Sequence, residues 1–133
     1  MESELFAVRT GERRVTDLSL VVGRFCAGRG DGLCHLFVPH ATAGLALIEV
    51  GSGSEPDLSD LLDRLLPRDD RYRHRHGSPG HGADHLLPAI VSPSLCLAVV
   101  EGRPLLGTWQ SVVLVDINVD NPERTLRCSW VPA

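Results

Sequence analysis

A chain of 133 residues can build one domain with a real core. Its 43% hydrophobic and 23% charged residues exclude a disordered chain, and its net charge of −4 argues against a nucleic-acid partner, which would need a basic face. All 13 Lys-plus-Arg positions are Arg, which excludes Schiff-base chemistry on a lysine and leaves Arg as the side-chain cation for phosphates or carboxylates.

Residues 3–9 alternate loosely and predict an edge strand. Asp17 is placed to cap a helix running to about Ala27, with Leu18, Val21, Val22 and Phe25 on one face, and Gly28 to Gly32 stop it. Leu33–Val38 and Leu45–Val50 predict strands on either side of a turn at Pro39–Gly44. A second helix opens at Pro56, carries a stripe of Leu58, Leu61, Leu62, Leu65 and Leu66, and ends at Pro67.

Arg68 to Asp84 has neither helical nor strand periodicity, and a loop this long in a compact domain points to function or disorder. Asp84 is expected to cap a short third helix through Val91. Leu95–Val100, Gly107–Asn118 and Thr125–Val131 follow as strands joined by short turns, so the sheet should be mostly antiparallel. The fold class is α+β, in a single domain over residues 1–133.

No leader peptide is expected, since Glu2, Glu4 and Glu12 interrupt the first residues. No apolar run approaches the roughly 20 residues of a membrane span. Cys26, Cys34, Cys96 and Cys128 form no C-x-x-C pair and stand in apolar segments, which predicts free buried thiols in a reducing cytoplasm.

Of the six histidines, His74, His76, His81 and His85 sit in or beside the long loop. Bound imidazoles would order such a loop, and imidazole suits zinc and similar first-row ions. His40 stands at a strand mouth in Pro39-His40-Ala41-Thr42-Ala43-Gly44, where small residues leave room for backbone to approach a ligand. His40, His74 and His85 are therefore expected to converge on one polar site. His35 alternates inside a strand and is read as structural. Whether His76 and His81 are ligands or neighbours is left open.

Glu49 closes the run Leu45-Ala46-Leu47-Ile48; if half-buried there, its raised pKa would suit acid–base work. Arg68, Arg71, Arg73 and Arg75 surround the histidines with cations, favouring an anionic substrate such as a phosphate ester, although Asp69 and Asp70 offset them. Trp109 and Gln110 in Gly107-Thr108-Trp109-Gln110 would serve either as a pocket wall or as a sheet entry packed on the core.

Pro39-His40-Ala41-Thr42-Ala43-Gly44-Leu45 with Glu49, Tyr72-x-His74, Asp84-His85-Leu86, Pro93-Ser94-Leu95, Gly102 and Leu106-Gly107-Thr108-Trp109-Gln110-Ser111 together resemble the YjbQ-like family, from about Val15 to Arg127. The resemblance implies an α+β fold built around a β-sandwich with two or three helices, assembled as a homotrimer. It implies a site at His40, His74 and His85 holding a divalent metal, zinc first and magnesium as the other candidate. The implied activity is a weak, secondary thiamine-phosphate synthase, joining a hydroxymethylpyrimidine pyrophosphate to a thiazole phosphate. On that reading Glu49, Thr42 and Gln110 are catalytic residues, and Arg71, Arg73, Thr108 and Trp109 bind a small phosphorylated substrate.

Two positions depart from the family pattern. Ile48 stands where the family usually has Asn, and His81 where it often has Asn, so a fourth imidazole enters the site region. Three histidines suit zinc with an open position better than the oxygen-loving Mg²⁺ usual for pyrophosphate. A zinc-dependent hydrolase of small phosphate esters, with Glu49 as base, and a non-catalytic metal- or ligand-binding trimer are the alternatives.

Overall fold

The computed structural model describes residues 1–133. Two antiparallel sheets face each other, and a helical layer covers the outer side of the smaller one. Strands β1 (Glu2–Arg9), β8 (Glu123–Pro132), β3 (Gly32–Phe37), β5 (Ser94–Val100) and β6 (Arg103–Pro104) lie side by side in that order, and β2 (Val15–Asp17), β7 (Ser111–Asp116) and β4 (Ala43–Ile48) form the second sheet. Every pairing is antiparallel, as the short turns predict.

Helix α1 (Ser19–Cys26) closes the space between the sheets, burying Val22, Phe25 and Cys26; the Asp17 carboxylate accepts the Ser19 N–H at 2.8 Å just ahead of it. Helix α2 (Ser54–Leu65) and two single turns, α3 (His81–Asp84) and α4 (Leu87–Ile90), pack on the far side of the smaller sheet. No helix is long and apolar enough to cross a membrane.

Strand β7 explains the layering. Val112 and Leu114 point into the core between the sheets, while Val113 and Val115, with Ile117 just beyond the strand, point toward Leu62, Leu66, Ala83 and Leu87 of the helical layer. Both faces are covered, so the strand reads as an unbroken apolar run. Full burial of each such side chain stabilises by about 1.5–3 kcal/mol.

Several expectations need correction. The third helix is two turns instead of one run from Asp84 to Val91: Pro88 has no N–H, and Asp84 is fully buried inside the fold instead of capping. Of the α2 stripe, Leu58, Leu62 and Leu66 pack inward, whereas Leu61 and Leu65 are exposed. The strand expected from Gly107 starts only at Ser111, and Gly107–Gln110 is an exposed turn. Cys26, Cys34 and Cys128 are buried free thiols, with burial pushing Cys26 up to about 12, but Cys96 alternates onto the exposed face of β5.

Candidate metal centre

Side-chain clasps order the long segment after α2. Arg68 grips the fully buried Asp84 through two hydrogen bonds, Nε to Oδ1 at 3.0 Å and Nη2 to Oδ2 at 3.1 Å. The Tyr72 hydroxyl donates to the Pro67 carbonyl at 2.7 Å, and a Cβ at Gly82 would stand 2.5 Å from the Tyr72 Cβ, so the turn at α3 fits under Tyr72 only because residue 82 is glycine. From the connection after β7, Asn118 Nδ2 donates to Asp84 Oδ2 at 3.0 Å, and Asp120 Oδ2 accepts the Ser78 hydroxyl at 3.1 Å. A buried carboxylate with these three hydrogen bonds anchors the loop at its far end.

These anchors gather four imidazoles. His74, His76 and His85 each offer one ring nitrogen, and the three lie within 4.8 Å of one another. His81 adds its Nε2 at 2.9 Å from the His85 Nε2. The His74 ring centroid is 4.0 Å from that of His76 and 4.2 Å from that of His85. A cleft of about 200 Å³ opens beside them, lined by Tyr72, His74, Arg75, His76, Ser78 and His81 among others.

His74 and His85 are held below the ordinary histidine range, by partial loss of water first and by the neighbouring histidines next. Crowded imidazoles that resist protonation are in the form that ligates metal. The donor set is all nitrogen, which suits zinc and its first-row neighbours and not Mg²⁺. A divalent ion of the zinc type therefore fits these residues.

The other expected site residues fall into two groups. His40 is not part of the cluster. Its Nε2 accepts the Thr125 N–H at 2.9 Å, and burial followed by the nearby Arg124 charge lowers its pKa. Thr42 is buried beside it, its hydroxyl accepting from Arg124 at 2.8 Å, while Arg124 also grips Asp116 at 2.6 and 3.0 Å. The room left by Gly44 is taken by backbone of this chain, since a Cβ there would stand 2.1 Å from the Val91 carbonyl oxygen.

Glu49, Thr108, Trp109 and Gln110 gather elsewhere. β4 and β7 pair so that Ile48 faces Ser111 and Ala43 faces Asp116. These four residues therefore stand at one end of the strand pair, with Asn118 and the histidines at the other, about 20 Å away at ~3.3 Å per residue. Glu49 is exposed, not half-buried as expected. Trp109 is 73% exposed, and Gln110 Oε1 accepts the Gly107 N–H at 2.8 Å within its own turn. Arg71 is paired with Asp69 at 2.8 Å, and Arg73 is exposed. His35 lies mid-strand in β3, apart from the cluster.

The structure thus brings His74 and His85 together and adds His76 and His81, whose His-x-His and His-x-x-x-His spacings were visible in the sequence. The buried partners Asp84 and Asn118, and the more exposed Asp120, carried no comparable signal. Asp84 read as a cap, and Asn118 as the end of the strand Gly107–Asn118.

The family model described as UPF0047 protein YjbQ-like matches residues 4–133. The chain is 62% identical over 131 residues to UPF0047 protein Rv2556c of Mycobacterium tuberculosis, covering 98% of each chain. It superposes with a TM-score of 0.89 on the crystal structure of hypothetical protein APE1520 from Aeropyrum pernix K1, at 30% identity and full coverage of both chains. The conserved hypothetical protein TT1486 of Thermus thermophilus superposes with a TM-score of 0.83 at 32% identity, covering 96% of this chain and 99% of that one. The antiparallel sandwich, the histidine motifs and this match over nearly the whole length together make the chain a member of the YjbQ-like UPF0047 family.

Proposed function

We propose that this chain is a metal-dependent enzyme of small phosphorylated molecules, acting as a weak, secondary thiamine-phosphate synthase. The observation that carries the metal half of this reading is the set of three ring nitrogens from His74, His76 and His85 within 4.8 Å. These residues would hold a divalent ion, zinc before magnesium. Such an ion, when bound, supplies a Lewis acid that offsets negative charge growing on phosphate oxygens.

The remaining roles belong to the protein. Arg73, exposed near the histidines, and Arg75 in the cleft wall would hold phosphate oxygens of the substrate, with Arg71 available only by leaving Asp69. Glu49, Thr108, Trp109 and Gln110, remote in one chain, would join the site from a second copy in the homotrimer that the family resemblance implies. Thr42 would act indirectly, by fixing Arg124. The core thiols, kept free, suit a cytoplasmic setting.

A second reading, hydrolysis of a small phosphate ester, is favoured by the donor set and by the size of the cleft. All-imidazole sites with an open position are typical of zinc hydrolases. A cleft of about 200 Å³ is also below the roughly 300–1,000 Å³ of sites that enclose larger ligands.

The deciding experiment incubates zinc-loaded protein with the pyrimidine pyrophosphate, the thiazole phosphate, or both. Pyrophosphate release that requires both precursors supports the synthase. Release from one precursor alone, with turnover of generic esters, replaces it by the hydrolase. Metal binding with neither turnover leaves a binding protein and rejects the enzymatic reading.

A further inference from the structure

We infer that His81 is a fourth ligand of the metal centre, oriented through its other ring nitrogen by the carboxylates of Asp84 and Asp120. The inference rests on the metal-centre reading above and deepens it: with four imidazoles in place, a substrate oxygen would enter as a fifth ligand. The three-residue nitrogen cluster does not include His81.

Three observations carry it. First, His81 is buried, and its Nδ1 lies 3.2 Å from both Asp84 Oδ2 and Asp120 Oδ2. Asn118 Nδ2 also lies 3.2 Å from Nδ1, with one of its two N–H groups given to Asp84. The Asn118 Oδ1 accepts the N–H groups of Asp120 and Asn121. Two carboxylate oxygens against one amide put the imidazole proton on Nδ1. That leaves Nε2 as the bare nitrogen, and Nε2 is the atom turned toward His85.

Second, the carboxylate–imidazole pairing is the arrangement by which proteins fix the tautomer and raise the basicity of a metal-ligating histidine. Here the fixing groups are themselves held, Asp84 by Arg68 and Asp120 by Ser78. With Nδ1 facing the carboxylates and Nε2 facing the cluster, His81 has the polarity of a ligand.

Third, the backbone makes room for the ring. Gly77 has a φ of +79° and a Cβ there would stand 2.8 Å from the His81 Cγ, so only glycine lets the loop close over the imidazole. The 2.9 Å between the Nε2 atoms of His81 and His85 is near what two ligands of one ion require. With metal–nitrogen bonds of about 2.0–2.1 Å, tetrahedral ligands sit ~3.3 Å apart, so this pair need open by only a few tenths of an ångström while His74 and His76, spread within 4.8 Å, close in.

The test compares metal-free wild type with His81→Asn and Asp120→Asn, by titration with Zn²⁺ against a chelator and by the visible spectrum of the Co²⁺ form. Asn can still donate to Asp84 from position 81, which protects the buried network, and Asp120 is partly exposed, so its amide variant folds even if the first does not. Wild type is expected to bind one ion. His81→Asn should bind about 100-fold more weakly with altered cobalt bands, and Asp120→Asn about 10-fold more weakly. Wild-type affinity and spectrum in folded variants would overturn the inference while sparing the centre. Absence of saturable binding in wild type would overturn the centre itself, and the inference with it.

Discussion

Arg68 and Asp84 bracket the histidine segment: the guanidinium closes on the fully buried carboxylate with two hydrogen bonds, at 3.0 and 3.1 Å, from sixteen residues away. The segment is thus ordered by the protein's own ion pair before any metal is considered. Removing one partner of a buried pair leaves an uncompensated charge, at a cost of about 3–5 kcal/mol. Arg68→Met should therefore lower stability by about that amount in urea unfolding and expose the segment to limited proteolysis. A variant as stable and as protease-resistant as wild type would show that the clasp is dispensable.

Gly44 gives a second, independent test of how the helical layer is seated. The β4 backbone presses against Val91, and the Leu45 N–H donates to the Ser92 carbonyl at 2.7 Å. A methyl group at position 44 must push that backbone away. Gly44→Ala should cost about 1–3 kcal/mol, the usual range for overpacking. Because the displaced chain leads into α4 and α3, zinc affinity should fall as well. A neutral effect on both would contradict the packing described.

His40 ties stability to pH. Its folded pKa lies below the ordinary 6.5, through burial first and Arg124 second, and its Nε2 must be unprotonated to accept the Thr125 N–H. Above the unfolded value both states are neutral and the bond is fully present. As pH falls from about 6.5 toward the lower folded value, the unfolded chain takes up the proton first, so stability is lost through that window. His40→Leu should lose about 1 kcal/mol at pH 8, from the orphaned N–H, and show a flatter decline in urea midpoint between pH 6.5 and 5. An unchanged slope would remove His40 from this role.

The separation of Glu49 and Gln110 from the histidines makes a prediction about assembly. Glu49→Gln and His85→Ala are each expected to lose synthase activity. If a second copy completes the site, unfolding and refolding the two variants together should restore part of the activity, because some mixed assemblies would then contain one intact site. Mixtures as inactive as their components would confine the site to one chain.

Much of the fold was legible because hydrophobic periodicity reports burial directly. The apolar run of β7, the face of α1 carrying Val22 and Phe25, and the loop between Pro67 and Asp84 could be read from spacing alone. What could not be read depended on tertiary partners. Asp84 before a short apolar run has the pattern of a cap, and only Arg68 and Asn118 arriving from distant positions turn it inward. The small residues around His40 suggested room for a ligand, and the room is filled by Val91. The alternation in β5 that exposes Cys96 lies within Leu95–Val100, an apolar run in which period two is masked. In the candidate site, clustering of histidines in sequence correctly pointed to clustering in space. The grouping of His40 with them rested on its strand-mouth position and on family resemblance, and it is not reproduced within one chain.

The most direct test of the central claim is the metal content of purified protein, measured by elemental analysis after zinc reconstitution and dialysis, alongside His74→Ala, His85→Ala and His35→Ala. About one zinc per chain is expected in wild type and in His35→Ala, with loss from the other two variants, since His74 and His85 belong to the nitrogen cluster and His35 stands apart in β3. Equal metal in all four proteins, or none in wild type, would contradict a metal centre at these histidines.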